Sequence, residues 1–422
     1  MQTMEKWTES KLSQHTEIFS GFAFKSFDMT GFDSGYPIIK IAQIQNKEVL
    51  KNVEEYFPSE KFTHKLNRYK LRKTDTLIAM TGAGSVGKVG KMKSIDRDYL
   101  VNQRVALIRS KAKDIDDEFL FYFLSQDFIE RGLYDIGLGA GQPNISPADI
   151  GKIDLLIPPL HEQQRIASIL SAYDDLIEVN NKRITLLEQM TEQIYKEWFI
   201  RMRFPDYENT LFEKGLPHKW EIKKVKDFGK VITGKTPSTF NSGYYGGEYF
   251  FIKTPDMHGN TFTLQTEETL TEDGFNSQKS QALPPNSICV SCIGTGGVVT
   301  ITSSVCMTNQ QINSLVLKNQ IELEFLFFAL KGLKSTIEMF GSTGATMTNL
   351  SKGKFENLKL IKPNNDLIEQ FSFLTKPMFI CIRDLSLQQL VLKKTRDLLL
   401  PRLISGKLQV NNIKEPPLSE VV

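Results

Sequence analysis

The chain has 422 residues, of which 40% are apolar and 24% charged, and its formal net charge is +3. That is the composition of a globular protein with room for two or three domains. No apolar run approaches the length of a membrane span. The first twenty residues carry Glu5, Lys6, Glu9 and Lys11 without an apolar core, so no signal peptide is expected, and four cysteines do not suggest a disulfide framework. A cytoplasmic protein is expected, and a charge of +3 does not by itself indicate a nucleic-acid partner.

In chain order, Trp7 is followed by EIFSGFAFKS and then by YPIIKIAQI (36–44), a strand-like run. Next comes KFTHKLNRYKLRK (61–73), with Lys61, Lys65, Arg68, Lys70, Arg72 and Lys73, no acidic residue, and Tyr69 among the cations. TLIAMTG is a further strand ending in a glycine turn, GAGSVGK (82–88). VNQRVALIR reads as a strand and EFLFYFLSQDFIERG (118–132) as one short amphipathic helix. The loop GLGAGQPNISPADI and the run KIDLLIPP then lead to Pro158 and Pro159.

No Gly or Pro occurs from Leu160 to Phe204, and Pro205 stops the run. At about 1.5 Å per residue, roughly 40 residues of helix span about 55–60 Å, more than one compact domain needs. Apolar residues at Ile166, Ile169, Tyr173, Leu176, Leu187, Met190 and Ile194 alternate by three and four, with Asn180 and Arg183 in the intervening places. Such a seam requires a partner helix.

The second half repeats these landmarks in order. Trp220 answers Trp7, VITGKTPS answers IFSGFAFKS, and FFIKTPDM answers PIIKIAQI. SICVSCIGTGG, TNQQINSL, EFLFFAL and GATMTNLS follow, with Asn349 corresponding to Asn144 and Pro363 to Pro158. A constant offset of 205 carries the seam onto Phe371, Leu374, Met378, Cys381, Leu385, Gln388, Leu392, Thr395 and Leu399. Pro377 is expected to kink or delay the second helix. The fold expected is therefore α+β. Two globular α/β domains in pseudo-twofold repeat (1–157 and 206–362) are joined by two long antiparallel coiled-coil helices (158–205 and 363–410), with a loose tail at 411–422. Asn180 near Gln388 would fix register.

These residues resemble the specificity subunits of type I restriction-modification enzymes, above all in PPLHEQQRIASIL and in RDLLLPRLISGKL (396–408). The resemblance spans essentially the whole chain. It implies that each globular domain is a target-recognition domain reading one half of a bipartite, asymmetric double-stranded DNA target. The helices would set the spacing and dock two methyltransferase subunits, with restriction/translocase subunits in the full complex. It also implies no catalytic residue here: S-adenosylmethionine, ATP and magnesium are expected on partner subunits and no cofactor on this chain. The setting implied is DNA methylation in host defence.

On that reading the first domain's DNA contacts are Lys65, Asn67, Arg68, Tyr69, Lys70, Arg72 and Lys73, which combine phosphate-seeking charge with groups that reach base edges. The bland alternative is a solvated edge strand. Ser85, Lys88, Lys91 and Lys93 at the glycine turn, and Gln142, would extend that surface. In the second domain the candidates are Asn241, Tyr244 and Tyr245 in TPSTFNSGYYGG, with Lys253 and Lys279.

Two other classes compete. GKVITGKT (229–236) fits the Walker A pattern of a P-loop nucleotide-binding protein, though its middle is β-branched and Pro237 follows. GAGSVGKV fits G-x-G-x-x-G but reads better as a turn between strands. The other class is a coiled-coil interaction scaffold. Cys289 and Cys292 form a lone C-x-x-C read as core, and the five histidines show no metal spacing.

Overall fold

The computed structural model describes residues 7–33, 35–111, 114–138, 142–213, 215–341 and 348–410. The expected loose tail, 411–422, and residues 139–141 and 344–347 of the GAGQPNIS and GATMTNLS landmarks lie outside the described residues. The chain divides into two compact units, one formed by Met1–Ile177 with Leu392–Val422 and the other by Glu178–Val391. Each unit therefore owns part of each long helix.

The first unit is built on a six-stranded sheet in the spatial order Thr16–Ser20, Val105–Ser110, Thr76–Ala79, Val89–Lys91, Lys47–Val49, Ile44–Gln45. Strand alternation sends its apolar residues to two different cores. Ile78, Ala106 and Ile108 join the cluster that holds the helices, and Leu77, Ala79, Val105 and Leu107 join the one on the other face. The second unit repeats the plan with Gly229–Thr233, Ile312–Leu317, Ile288–Ser291 and Val299–Thr302 in the equivalent positions. In each unit an early strand pairs with the strand that leads into a long helix: Thr8 lies opposite Ile157, and Glu221 opposite Lys362.

The stretch read as one amphipathic helix is two, Asp117–Leu124 and Asp127–Gly137. The first is buried on every side from Phe119 to Leu124, because EFLFYFL has no polar face to offer solvent. Asp116 caps it by accepting from the amides of Glu118 and Phe119. Ser125 and Gln126 end it by donating back to the carbonyls of Tyr122 and Phe123.

The central helix, Leu160–Tyr195, closes in a π turn, Lys196–Ile200, and the distal helix runs Asn365–Ile404. Pro377 neither delays nor interrupts the helix; it sits at an exposed position, where water can take the carbonyl it frees. Buried Gln163, from the HEQQ motif, fixes the start of the central helix. It accepts from the Asp116 amide and donates to the carbonyls of Asp114 and Pro158. Pairing is antiparallel in both units. In the second, Asn181 meets Gln389 and Tyr195 meets Phe371; in the first, Asp174 meets Arg396 and Ile166 shares a cluster with Leu403.

The seam follows the expected line at every other position. Ile166, Ile169, Asn180, Phe371 and Leu385 are buried, while Tyr173, Leu187, Ile194, Met378, Leu392 and Leu399 are half-buried. Between them it is displaced by one residue: Ile177, Thr191, Thr375, Ile382 and Gln389 are buried, in place of Leu176, Met190, Leu374, Cys381 and Gln388. Met190 and Leu374 are exposed. Residues three and four along a helix flank the same stripe at about −60° and +40°. Which of them is buried depends on the side where the sheet core lies. The polar break is where expected, with Asn180 Nδ2 at 3.4 Å from Gln388 Oε1, but Asn180 Oδ1 is buried without a partner.

Replacing that side chain tests its role. Asn180→Leu is expected to raise Tm by about 2–4 °C, as relief of a buried unsatisfied oxygen worth about 1 kcal/mol would do. A lower Tm in a thermal scan would mean that the amide stabilises the pair.

Candidate nucleic-acid interface

The basic stretch 61–73 hangs on a buried ion pair. Strand Val105–Ser110 places Arg109 inside the sheet, where an unpaired guanidinium would be prohibitive. Asp75 answers it: Nε reaches Oδ1 at 2.7 Å and Nη2 reaches Oδ2 at 2.9 Å, with both side chains buried. The remaining donors go to backbone, Nη1 to the Arg68 carbonyl at 2.9 Å and Nη2 to that of Lys70 at 2.7 Å. Asp75 Oδ2 also accepts from the Arg72 amide at 2.8 Å. One buried pair thus ties down the backbone at positions 68, 70 and 72. Neither partner was singled out in the sequence, although an arginine ending the apolar run VALIR was a usable signal.

The stretch is not an edge strand. Ser59–Lys61 and His64–Tyr69 are 3-10 helices. Tyr69 is half-buried and packs against Phe19 and Phe22 at ring distances of 6.3 and 5.4 Å, so its ring serves the fold. Arg68 lies over Phe19 and pairs with Glu17 at 2.6 Å; Lys70 lies over Phe62 and pairs with Asp98 at 2.5 Å. Lys65, Asn67, Arg72 and Lys73 are exposed, and the three cations have no ion-pair partner among the described residues.

GAGSVGK is a turn between antiparallel strands, with Gly82, Gly84 and Gly87 at positive φ. The Gly82 amide donates to the Pro143 carbonyl at 3.2 Å, which brings exposed Gln142 to this turn beside half-buried Ser85 and Lys88. Lys91 does not belong to such a surface. It is buried and pairs with Glu118 at 2.5 Å, because its strand position points into the protein. Lys93 is exposed but pairs with Glu48. The basic stretch enters strand Thr76–Ala79 and the glycine turn leaves it, so the two groups lie at opposite ends of that strand.

In the second unit Asn241 Oδ1 accepts from the Gly243 amide at 3.1 Å, and Tyr244 is half-buried beside it. The Tyr245 hydroxyl donates to the Pro237 carbonyl, which makes it a brace for the loop. Lys253 pairs with Glu268 at 2.6 Å, whereas exposed Lys279 has no ion-pair partner among the described residues. The Walker-like run cannot cradle phosphate. Gly229–Thr233 is a strand paired along its length with Ile312–Leu317, and the Gly234 and Lys235 amides are spent on the carbonyls of Ile312 and Thr308. Cys289 and Cys292 are core residues on opposite faces of their sheet, and burial pushes their thiols up to about 12 and about 11.

The family description "Type I restriction modification DNA specificity domain" matches residues 4–189 and 217–370. The HindI specificity subunit of Haemophilus influenzae is 30% identical over 404 residues, covering 80% of this chain and 87% of that one. The MjaIX specificity subunit of Methanocaldococcus jannaschii is 26% identical over 346 residues, covering 80% and 78%. The crystal structure of a type I restriction-modification S subunit from M. genitalium superposes with a TM-score of 0.63 at 14% identity, covering 96% and 97%, and shares the fold.

The buried pair gives a direct test. Arg109→Met leaves Asp75 charged and alone and should destabilise the first unit by about 3–5 kcal/mol, while the double variant with Asp75→Asn should recover part of that. Denaturant unfolding would measure both; a loss below about 1 kcal/mol for Arg109→Met would show that the pair does not hold the segment.

Proposed function

Because the chain belongs to the type I restriction-modification DNA specificity family, we propose that it is the specificity subunit of such a complex, with each unit reading one half of a bipartite double-stranded DNA target. The observation that carries this is the repetition of one sheet framework in two units, each matched by the same family. In the first unit Lys65, Arg72 and Lys73 supply phosphate contacts and Asn67 and Gln142 reach toward base edges. Lys279, Asn241 and Tyr244 serve in the second. Arg68 and Lys70, held by surface ion pairs, are exchangeable contacts, since such pairs contribute only about 0–1 kcal/mol.

On this reading the chain carries out no reaction itself. Methyl transfer, and ATP-driven translocation with cleavage, belong to partner subunits in the cytoplasm that bind S-adenosylmethionine, ATP and magnesium. Two methyltransferase subunits dock on the outer faces of the long helices. Supporting this, the distal helix leaves Phe373, Ile380, Leu387, Val391 and Leu398 exposed at heptad-like spacing, and the central helix leaves Val179, Leu186 and Met190. Among the described residues no helix is long and apolar enough to cross a membrane.

The triple variant Lys65→Ala, Arg72→Ala, Lys73→Ala should weaken DNA binding and reduce the slope of log K against log salt by about 2–3, close to 0.9 per lost phosphate contact. Titrations at several salt concentrations measure it; an unchanged slope removes this stretch from the interface. A protein-only scaffold would instead show no sequence-selective DNA binding with its partners present. We further propose that the helices set the gap between half-sites. A heptad inserted in both should lengthen the tolerated gap in methylation-aware sequencing and leave each half-site unchanged; an unaltered gap would falsify it.

A further inference from the structure

Two phenylalanines stand in water at matching places in the two units. Phe27 is 78% exposed and Phe240 completely so. Isolated surface apolar residues are common and need no explanation by themselves. These two differ because the internal repeat relates them: from Gly21 to Lys40 the first unit aligns without a gap on residues 234–253, at an offset of 213.

Both ends of that segment are held by the same contacts in each unit. A Cβ on Gly21 would lie 2.2 Å from the Val101 carbonyl oxygen, and one on Gly234 would lie 2.1 Å from that of Asn309, so only glycine lets the chain cross there. Farther on, Ile38 and Ile39 lie opposite Leu100 and Val101, as Phe251 and Ile252 lie opposite Met307 and Thr308.

Five positions are identical across the segment, and four have a structural cause. Glycine is demanded by the crossing. Tyr36 and Tyr249 stack on Phe62 and Phe275 at 4.5 and 4.2 Å. Ile39 and Ile252 are fully buried. Lys40 and Lys253 pair with Glu55 and Glu268. Phe27 and Phe240 alone are kept with nothing in the fold that needs them. Phe32, also exposed, has half-buried Tyr245 as its counterpart and is not part of the pattern.

The surroundings favour nucleic acid over protein. Lys25 Nζ sits 5.5 Å from the Phe27 ring, and Asp28 ties the turn to Lys61 at the head of the basic stretch. Phe240 stands between exposed Thr239 and Asn241. A protein-docking site is a continuous apolar core with a polar rim, whereas a lone ring among polar and cationic groups suits stacking on a base or wedging a base step.

Building on the DNA-reading function proposed above, we propose that Phe27 and Phe240 are stacking residues, each entering the base stack of the half-site its unit reads. The energy of unstacking depends on the step opened, so each ring would add to sequence selection without a hydrogen bond to a base.

The test uses the full chain assembled with its methyltransferase subunits, on DNA whose half-sites come from methylation mapping. A fluorescent adenine analogue that brightens on unstacking is placed in turn along each half-site. One position per half-site should brighten. Phe27→Ala should abolish the signal in one half-site only and weaken binding about five- to hundredfold, and Phe240→Ala should do the same in the other. The salt slope and Tm should not move, and Phe27→Tyr should retain the signal. If the unaltered complex binds its target selectively but the signal and affinity survive both alanine variants, the stacking role is overturned and the DNA-reading function stands. If the alanine variants instead shed methyltransferase subunits on size exclusion, the rings are protein contacts and the proposal is overturned. If the unaltered complex shows no selective binding, the underlying function fails and the stacking role with it.

Discussion

An apolar stripe on a helix of 36 or 40 residues cannot be left in water, and the protein's architecture follows from how these two stripes are covered. Each is divided between two cores. In the first unit Ile166 and Leu170 of the central helix and Leu403 of the distal helix pack with the buried helix Asp117–Leu124 and one sheet face. In the second, Phe371, Phe379 and Ile382 do so with Phe325 and Phe328. Polar groups lock the same junction: Asp174 accepts from the Tyr122 hydroxyl at 2.6 Å and from Arg396 at 2.5 Å. Burial and the neighbouring Asp174 carboxylate raise the Tyr122 pKa, so that hydroxyl remains a proton donor. The helices are thus parts of the cores they adjoin.

The same economy separates structural from exposed charge. Arg109 and Asp75 are out of solvent, with four guanidinium N–H groups bonded to the Asp75 carboxylate or to backbone carbonyls, and their role is to fix a backbone. Arg68, Lys70 and Lys61 lie at the surface, each beside one carboxylate, where solvent screening keeps the pairing weak. A backbone fixed in this way has little conformational entropy left to lose if its side chains are ordered by a ligand. Lys91 shows the opposite case, since its burial commits the ammonium to Glu118.

The large-scale plan was legible in the sequence because its signals are long. A glycine-free run of 45 residues and eight landmarks recurring in order leave few alternatives. The displaced seam was not legible, because the spacing marks a stripe but not the side on which a sheet will lie. EFLFYFLSQDFIERG was misread as one helix because the Ser125–Gln126 break depends on side chains bonding back to the backbone. In the candidate interface the basic composition was plain. The partners of Arg68 and Lys70, Glu17 and Asp98, are 51 and 28 residues away in the chain and come close only on folding. Phe27 and Phe240 were within reach of the repeat itself, but only burial separates an idle identity from one the core requires.

The division of the chain into units has a consequence for biosynthesis. The second unit is a single stretch, Glu178–Val391, whereas the first needs both Met1–Ile177 and residues after Leu392. Its core includes Leu403, Ile404 and Val410, which a ribosome reaches only after making the whole second unit. The unit that begins first is therefore completed last. Until then the nascent first domain carries an uncovered apolar face on its sheet and on the start of the central helix, the kind of surface that recruits chaperones or another chain.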